Sequence, residues 1–223
     1  MSWLHGAWAV LLKDARLELR TRFALNALGL FVAASLFLLR FALGDAAVRP
    51  DAAAALLWIV IVFAATVGLG RAFVVEEERG TVLLLQLSLR PSAVYLGKLL
   101  FNVGLTLALC AAAALLFLLL LHPPLRAPGL FALTLTLGAV GLAGATTLLS
   151  AIIARTASSG PLLAVLAFPV LIPLLFAVVR LTRLAFESGA AWAEGQADLL
   201  SLLGYGGLTI TASLLLFDYA WRD

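Results

Sequence analysis

The residues best suited to catalysis or metal binding are few and lie far apart in the chain. The 223 residues include two histidines, His5 and His122, and one cysteine, Cys110. Cys110 lies in the middle of an apolar run, where a free cysteine acts as a small buried hydrophobe. The sequence has no CxxC, CxxCH or paired Cys/His spacing. It therefore predicts neither a disulfide framework nor a metal site.

The chain also lacks the phosphate-binding loop of ATP-hydrolysing proteins. Its nearest approach is Gly97-Lys98, with Ser92 where the first glycine of GxxxxGK[ST] should stand and Leu99 where serine or threonine should follow. No acid, base and nucleophile occur at a spacing that would form a catalytic set. We predict that the chain is not an enzyme, binds no cofactor of its own, and depends on another protein for any ATP hydrolysis.

One stretch combines charges of both signs with a helix breaker; it comprises Glu76, Glu77, Glu78, Arg79, Gly80 and Thr81. The short helix predicted after it, at about 81–89, is too apolar to lie in water alone and needs lipid or a protein partner. We predict a cytoplasmic docking loop over residues 74–93, in which these six residues contact an ATPase subunit. The alternative is a solvated charged loop with a helix on the membrane surface.

Composition indicates which solvent surrounds the elements that position these residues. The chain is 64% apolar and 12% charged, with a mean hydropathy of +1.11. A soluble domain carries about 25% charged residues, so lipid must be the main solvent here. The sequence pI near 9.5 would suit nucleic-acid binding, but the basic residues flank apolar segments instead of forming a patch, so no nucleic acid is predicted.

Six apolar segments divide the chain; they are residues 23–43, 52–73, 94–121, 130–154, 161–179 and 199–217. Each is long enough for a helix to cross a hydrocarbon core of about 30 Å. No period-2 alternation favours a barrel, so the backbone must satisfy its hydrogen bonds within helices. The fold predicted is an all-α integral membrane protein, a single domain over residues 1–223 with six transmembrane helices.

Lysine and arginine placement indicates orientation. The basic residues predicted on the inner side are Lys13, Arg16, Arg20, Arg22, Arg71, Arg79, Arg90, Lys98, Arg155 and Arg222. Those predicted on the outer side are Arg40, Arg49, Arg126, Arg180 and Arg183. The excess predicts that both termini are cytoplasmic.

Residues 1–22 precede the first apolar segment and are predicted to form an amphipathic helix. Their apolar positions are Leu4, Ala7, Trp8, Leu11, Ala15 and Leu19, and charged residues fill much of the remaining circumference. Such a helix lies in the membrane interface, with Trp at headgroup level and Arg toward anionic lipid. It is either a general interfacial anchor or an elbow helix leading into the first span.

Smaller signals concern the spans themselves. Ser92 is predicted to cap the third span, and Pro169 and Pro173 to kink the fifth. Gly138, Gly141, Gly144 and Ala145 in the fourth span are predicted to admit a closely packed neighbouring helix. No carboxylate falls deep in a span, which argues against an ion-coupled carrier and favours coupling to a partner ATPase.

The ordered set of these features resembles a known family. Glu78-Arg79-Gly80-Thr81 and 95–100 are similar to the segment after the second span of type-2 ABC permeases. The whole chain resembles haem exporter protein B, the permease subunit of the cytochrome c maturation system. The stretches that carry this resemblance are 11–20, 57–59, 70–81 and 216–219.

The resemblance implies partners and a location in the bacterial inner membrane. The partners are a dimeric ABC ATPase subunit, a second membrane subunit that handles haem, a small membrane peptide and a periplasmic haem chaperone. It also implies that haem is cargo of the complex, exported or loaded on a chaperone whose release ATP drives. His122 is a weak candidate haem ligand; the alternative is that it ends a helix at the interface.

Two other functions share these sequence features. A type-2 ABC permease that exports a lipid, drug or polysaccharide would have the same spans and docking loop. A membrane scaffold that holds assembly factors together without transport would also lack catalytic residues. An intramembrane enzyme fits less well, because no catalytic set falls within the spans.

Overall fold

The computed structural model describes residues 3–44, 48–69, 90–153, 159–187 and 191–220, and the regular elements in these ranges are all α-helices. They are α1 (Trp3–Thr21), α2 (Phe23–Leu43), α3 (Pro50–Leu69), α4 (Pro91–Leu121), α5 (Pro128–Ile153), α6 (Ser159–Glu187), α7 (Ala191–Glu194) and α8 (Gln196–Ala220). The predicted all-α class is confirmed for this part of the chain.

Five of the described helices, α2, α4, α5, α6 and α8, are long and apolar enough to cross a membrane. In α3 the corresponding apolar stretch, Pro50–Thr66, is shorter within the described residues. Large side chains such as Leu30, Phe41 and Leu215 are exposed on the outside of the bundle. Exposed apolar surface on this scale requires lipid around it, so the chain is a multi-pass membrane protein.

Helix α5 lies at the centre of the bundle and contacts α3, α4, α6 and α8. Its glycines allow this: a Cβ on Gly138 would lie 2.3 Å from Cη2 of Trp58, and a Cβ on Gly141 would lie 2.8 Å from Cδ1 of Leu174. The predicted close approach of neighbouring helices at these glycines is confirmed. Trp58, fully buried, also donates its indole N–H to Oγ1 of Thr182 at 2.8 Å and so joins α3 to α6.

The bundle has two ends, which the connections between helices define. At the loop end α4 begins, α5 ends and α6 begins; at the His122 end α4 ends and α5 begins. The link from α4 to α5 is tied to the far part of α6, because the N–H groups of Arg126 and Ala127 both donate to the carbonyl of Ala185 at 3.0 Å.

Helix α6 differs from its sequence prediction. The apolar segment ends at residue 179, but the helix continues to Glu187 and includes Pro169 and Pro173. The charges that marked a break are paired in the structure: Arg183 with Glu187 on the same helix and Arg180 with Asp198 of α8, both at 3.4 Å. A charged helical turn at a membrane surface can therefore continue a span, which the apolar pattern alone does not indicate.

Candidate functional site

The six residues predicted to dock an ATPase, Glu76–Thr81, lie outside the described residues. The structure describes the borders of the stretch that contains them: α3 extends to Leu69, and Arg90 leads into α4. The candidate site therefore consists of the described residues that directly follow this stretch and of the residues that contact them, at the loop end of the bundle.

The start of α4, which follows this stretch, is determined by a proline. Arg90 is extended (φ −69°, ψ 140°) and Pro91 opens α4, where its fixed φ and missing N–H suit the first helical position. The prediction that Ser92 caps this helix is wrong, because Pro91 starts it one residue earlier and Ser92 lies within the first turn. The Ser92 hydroxyl instead accepts a hydrogen bond from the Trp3 indole N–H of α1 at 3.0 Å.

Helix α1 packs directly on α4, and Gly97 makes the closest approach. A Cβ on Gly97 would lie 2.5 Å from the carbonyl oxygen of Ala7 and 2.6 Å from Cβ of Val10. Ala7 and Val10 are buried by this contact, at 3% and 2% exposed. Only glycine allows the α1 backbone so close to α4, so the register between the two helices is fixed here.

An ion pair continues the contact one residue further along α4. Nζ of Lys98 lies 3.3 Å from Oδ2 of Asp14, and Nζ of Lys13 lies 3.2 Å from Oδ1 of the same carboxylate. The Lys98 side chain is 3% exposed and that of Asp14 is 11% exposed. An ammonium group this buried is tolerated only when its charge is compensated, so the carboxylate of Asp14 is part of what holds Lys98 in place.

The structure also refines the amphipathic character of α1, which has three faces instead of two. One face packs on α4 and includes Ala7, Val10 and Asp14. A second face, with Leu4, Trp8 and Leu19 between 59% and 66% exposed, is apolar and open. The third carries exposed charged or polar residues, among them His5, Lys13, Arg16 and Arg20. The open apolar face beside a basic face is the arrangement of a helix at a lipid surface.

The turn from α1 into α2 is also held in place. Arg22 adopts the left-handed conformation (φ 51°, ψ 23°) that separates the two helices. Its N–H donates to the carbonyl of Glu18 at 2.6 Å, and Oε1 of Glu18 accepts the N–H of Leu25 at 2.8 Å. A carboxylate that caps a free N–H in the first turn of α2 stabilises the helix start and fixes this corner.

Beyond the α1 contact, α4 is joined to the rest of the bundle. The ring of Tyr95 lies 5.0 Å, centroid to centroid, from that of Phe217 in α8. Two turns further along, Nδ2 of Asn102 donates to Oγ1 of Thr147 in α5 at 2.8 Å, between two buried side chains. The start of α4 is therefore the place where α1, α5 and α8 converge.

The other sequence candidates lie elsewhere. His122 ends α4 in the left-handed conformation (φ 48°), with its backbone N–H donating to the carbonyl of Leu118. Cys110 is buried within α4. Among the residues that the structure describes, no three His, Cys, Asp or Glu side chains come together as a metal site would require.

These helices can now be compared with known proteins. A family model described as CcmB protein matches residues 5–220, which includes nearly all of α1, the converging start of α4 and the whole of α8. The chain belongs to the CcmB family. The resemblance to haem exporter protein B is thereby confirmed. A comparison with curated proteins finds no match.

Membership in the CcmB family decides the broad role. The chain is a transmembrane permease subunit of the ABC-transporter type that serves cytochrome c biogenesis. Members of this family are membrane subunits of a transporter and work with an ABC ATPase, in keeping with the role expected from the sequence.

Sequence reasoning missed the Asp14–Lys98 pair. The sequence indicates only that Asp14 is one of the charged residues of α1 and that Lys98 is one of the basic residues that predict orientation. One signal available in the sequence is Gly97 beside Lys98, because a small residue in a membrane helix lets a neighbouring helix approach closely.

Proposed function

We propose that the chain is the permease subunit of a bacterial inner-membrane ABC complex for cytochrome c maturation. In this complex haem is the cargo, either exported or released on its chaperone when ATP is hydrolysed. The observation that carries the proposal is the CcmB family match over residues 5–220, which spans nearly all of the described bundle. The partners we propose are an ABC ATPase dimer, a second haem-handling membrane subunit, a small membrane peptide and a periplasmic haem chaperone.

The proposed topology has six crossings with both termini in the cytoplasm. Support comes from Trp58 of α3, which packs against Gly138 and Thr182 in the half of the bundle nearer the His122 end. Helix α4 starts at the opposite end, which favours a return of the chain across the bundle between Trp58 and Pro91. On this proposal α3 is also a transmembrane helix and brings the number of spans to six. Its crossing is completed beyond Thr66.

In the proposed mechanism the ATPase acts on residues 74–93 and the bundle responds. Closure of the ATPase dimer pushes on this loop, and the push reaches α4 at Pro91, near the end of this range, where the helix begins. Glu76, Glu77, Glu78 and Arg79 supply the charge-assisted contacts to the ATPase, and Gly80 and Thr81 complete the set of coupling residues. Each desolvated contact of this kind contributes about 1–3 kcal/mol.

The docking role is tested by reversing charges in the loop. The double variant E77K/E78K is expected to lose the ATPase subunit on affinity purification in mild detergent, because like charges would replace attractive contacts. Mass analysis of the purified complex measures the ATPase, and visible absorbance measures haem.

The matched control is E187K/E194K, which makes the same charge change at the His122 end. This variant should retain the ATPase at the level of the parent chain. Unchanged co-purification of E77K/E78K would place the docking surface elsewhere. A parent complex that contains the ATPase but no haem under conditions of cytochrome c synthesis would remove haem as cargo and leave the docking role standing.

A further inference from the structure

Helix α1 touches α4 at three successive points, and each is of a different chemical kind. The Trp3 indole bonds the Ser92 hydroxyl, the backbone of Ala7 lies against Gly97, and the buried Lys98 ammonium lies against the Asp14 carboxylate. Together they engage α1 along more than half of its length. Two helices fixed at three points cannot slide or rotate independently of each other.

The Asp14–Lys98 ion pair contributes more to selecting one arrangement of α1 on α4 than to net stability. Desolvating two charges offsets most of their attraction, so a buried pair adds little net stability compared with apolar residues. Breaking it is costly, because Lys98 is almost wholly buried and the Asp14 carboxylate is part of what compensates its charge. The pair thus selects one register of α1 on α4 and penalises every other.

The length of α4 leaves room for such a unit outside the hydrocarbon. Its 31 residues rise about 46 Å, well beyond the roughly 30 Å of a bilayer core. At its other end α1 turns into α2 through the fixed Glu18–Leu25 corner. A displacement at Pro91 therefore reaches α2 through α1 as well as α4 directly.

We propose that α1 and the first two turns of α4 form one rigid lever, locked by the Asp14–Lys98 pair, that carries motion of the 74–93 loop to α2 and α4 together. Asp14 and Lys98 are then positioning residues for ATP coupling. The inference rests on the proposed function for the source of the motion, but not for the lock itself. The open apolar face of α1, with Leu4, Trp8 and Leu19, lets the lever move within the lipid interface.

The lock is tested by thiol accessibility in a C110A background, which removes the one native cysteine. V10C places a thiol in the α1–α4 contact, where Val10 is 2% exposed. A water-soluble maleimide should label V10C slowly in the parent chain. Either single reversal, D14K or K98D, should speed labelling roughly tenfold, as a shift of about 1.4 kcal/mol in an opening equilibrium would. The swap D14K/K98D should restore slow labelling.

Coupling is measured in the same variants, co-expressed with the ATPase subunit. Each single reversal should keep the ATPase bound, with ATP hydrolysis continuing, yet lower the yield of mature cytochrome c. The swap should recover that yield. A merely structural role would instead lower the amount of the whole complex. D14N, which preserves side-chain shape, should change labelling and yield in the same direction by a smaller factor.

Two controls accompany the series. A9C, on an exposed position of α1, should label rapidly in every background. R16D, the same charge reversal on the water-facing side of α1, should leave V10C labelling and cytochrome yield at parent levels. Equal labelling of the parent and both single variants, or a swap that restores neither readout, overturns the lever. A parent chain that shields V10C but never retains the ATPase defeats the proposed function and leaves the lock intact.

Discussion

At the scale of single residues, the packing of the bundle depends on glycines at positions where a side chain would clash with a neighbouring helix. A Cβ on Gly138 would lie 2.3 Å from Cη2 of Trp58 and 3.0 Å from Cγ1 of Val178. Trp58 cannot move aside freely, because it is fully buried and its indole bonds Thr182. We expect G138A to lower the free energy of unfolding in detergent by about 1–3 kcal/mol through overpacking. Thermal unfolding monitored by circular dichroism measures the change.

The matched control is Gly104 of α4, where a Cβ would meet nothing within 4 Å. G104A should be as stable as the parent or more stable by up to about 1 kcal/mol, because alanine is the better helix former. If G138A unfolds at the same temperature as G104A, the contact between α3 and α5 is looser than the structure indicates.

Glycine spacing and buried charge differ in how far the sequence alone reveals their roles. The glycines of α5 indicated a close neighbour from their spacing, and the neighbours are Trp58 and Leu174. The pairing of Asp14 with Lys98 could not be predicted, because helical periodicity shows which residues share a face but not which helix that face meets. Charge pairs between residues distant in sequence require the tertiary arrangement.

At the scale of helices, α4 and α5 are joined by a hydrogen bond in an apolar region. Oγ1 of Thr147 accepts from Nδ2 of Asn102 at 2.8 Å and donates to the carbonyl of Ala143 at 2.6 Å. In T147V the Asn102 amide loses this partner where little water is available. We expect a loss of about 1–2 kcal/mol in unfolding free energy, because a buried amide left without its hydrogen-bond partner costs about this much.

The control for this bond is T136V on the same helix. Thr136 is more exposed and bonds only the carbonyl of its own helix at Ala132 in the described structure, so the same chemical change should cost less than about 0.5 kcal/mol. Equal effects of T147V and T136V on unfolding would mean that the loss reflects valine in a helix and not the bond to Asn102.

The apolar segments of the sequence predict that these helices exist, but they do not predict where each helix ends. The segment at 23–43 coincides with α2, since a strongly basic start and Gly44 bound it on both sides. Helix α6 extends eight residues past its apolar segment, and the charges in this extension form ion pairs with Glu187 and Asp198. Apolarity measures the part of a helix in lipid, and paired charges determine how far the helix continues beyond it.

At the scale of the whole molecule, whether the number of membrane crossings is odd or even decides on which side of the membrane the docking loop lies. Helix α1 and the start of α4 are in contact, so both belong to the loop end. The α7 region follows α6 and lies at the His122 end. If α3 completes its crossing, the two ends face opposite sides of the membrane, and the basic residues predict that the loop end is cytoplasmic.

Single cysteines in a C110A background measure this directly. A9C on α1 and A193C on α7 are both at exposed positions. In intact spheroplasts a membrane-impermeant maleimide should label A193C at once and A9C only after permeabilisation. Inverted vesicles should give the reverse order. Labelling of A9C in intact spheroplasts would put the loop end outside, where no cytoplasmic ATPase could reach residues 74–93. Labelling of both cysteines from the same side would mean that α3 does not cross the membrane.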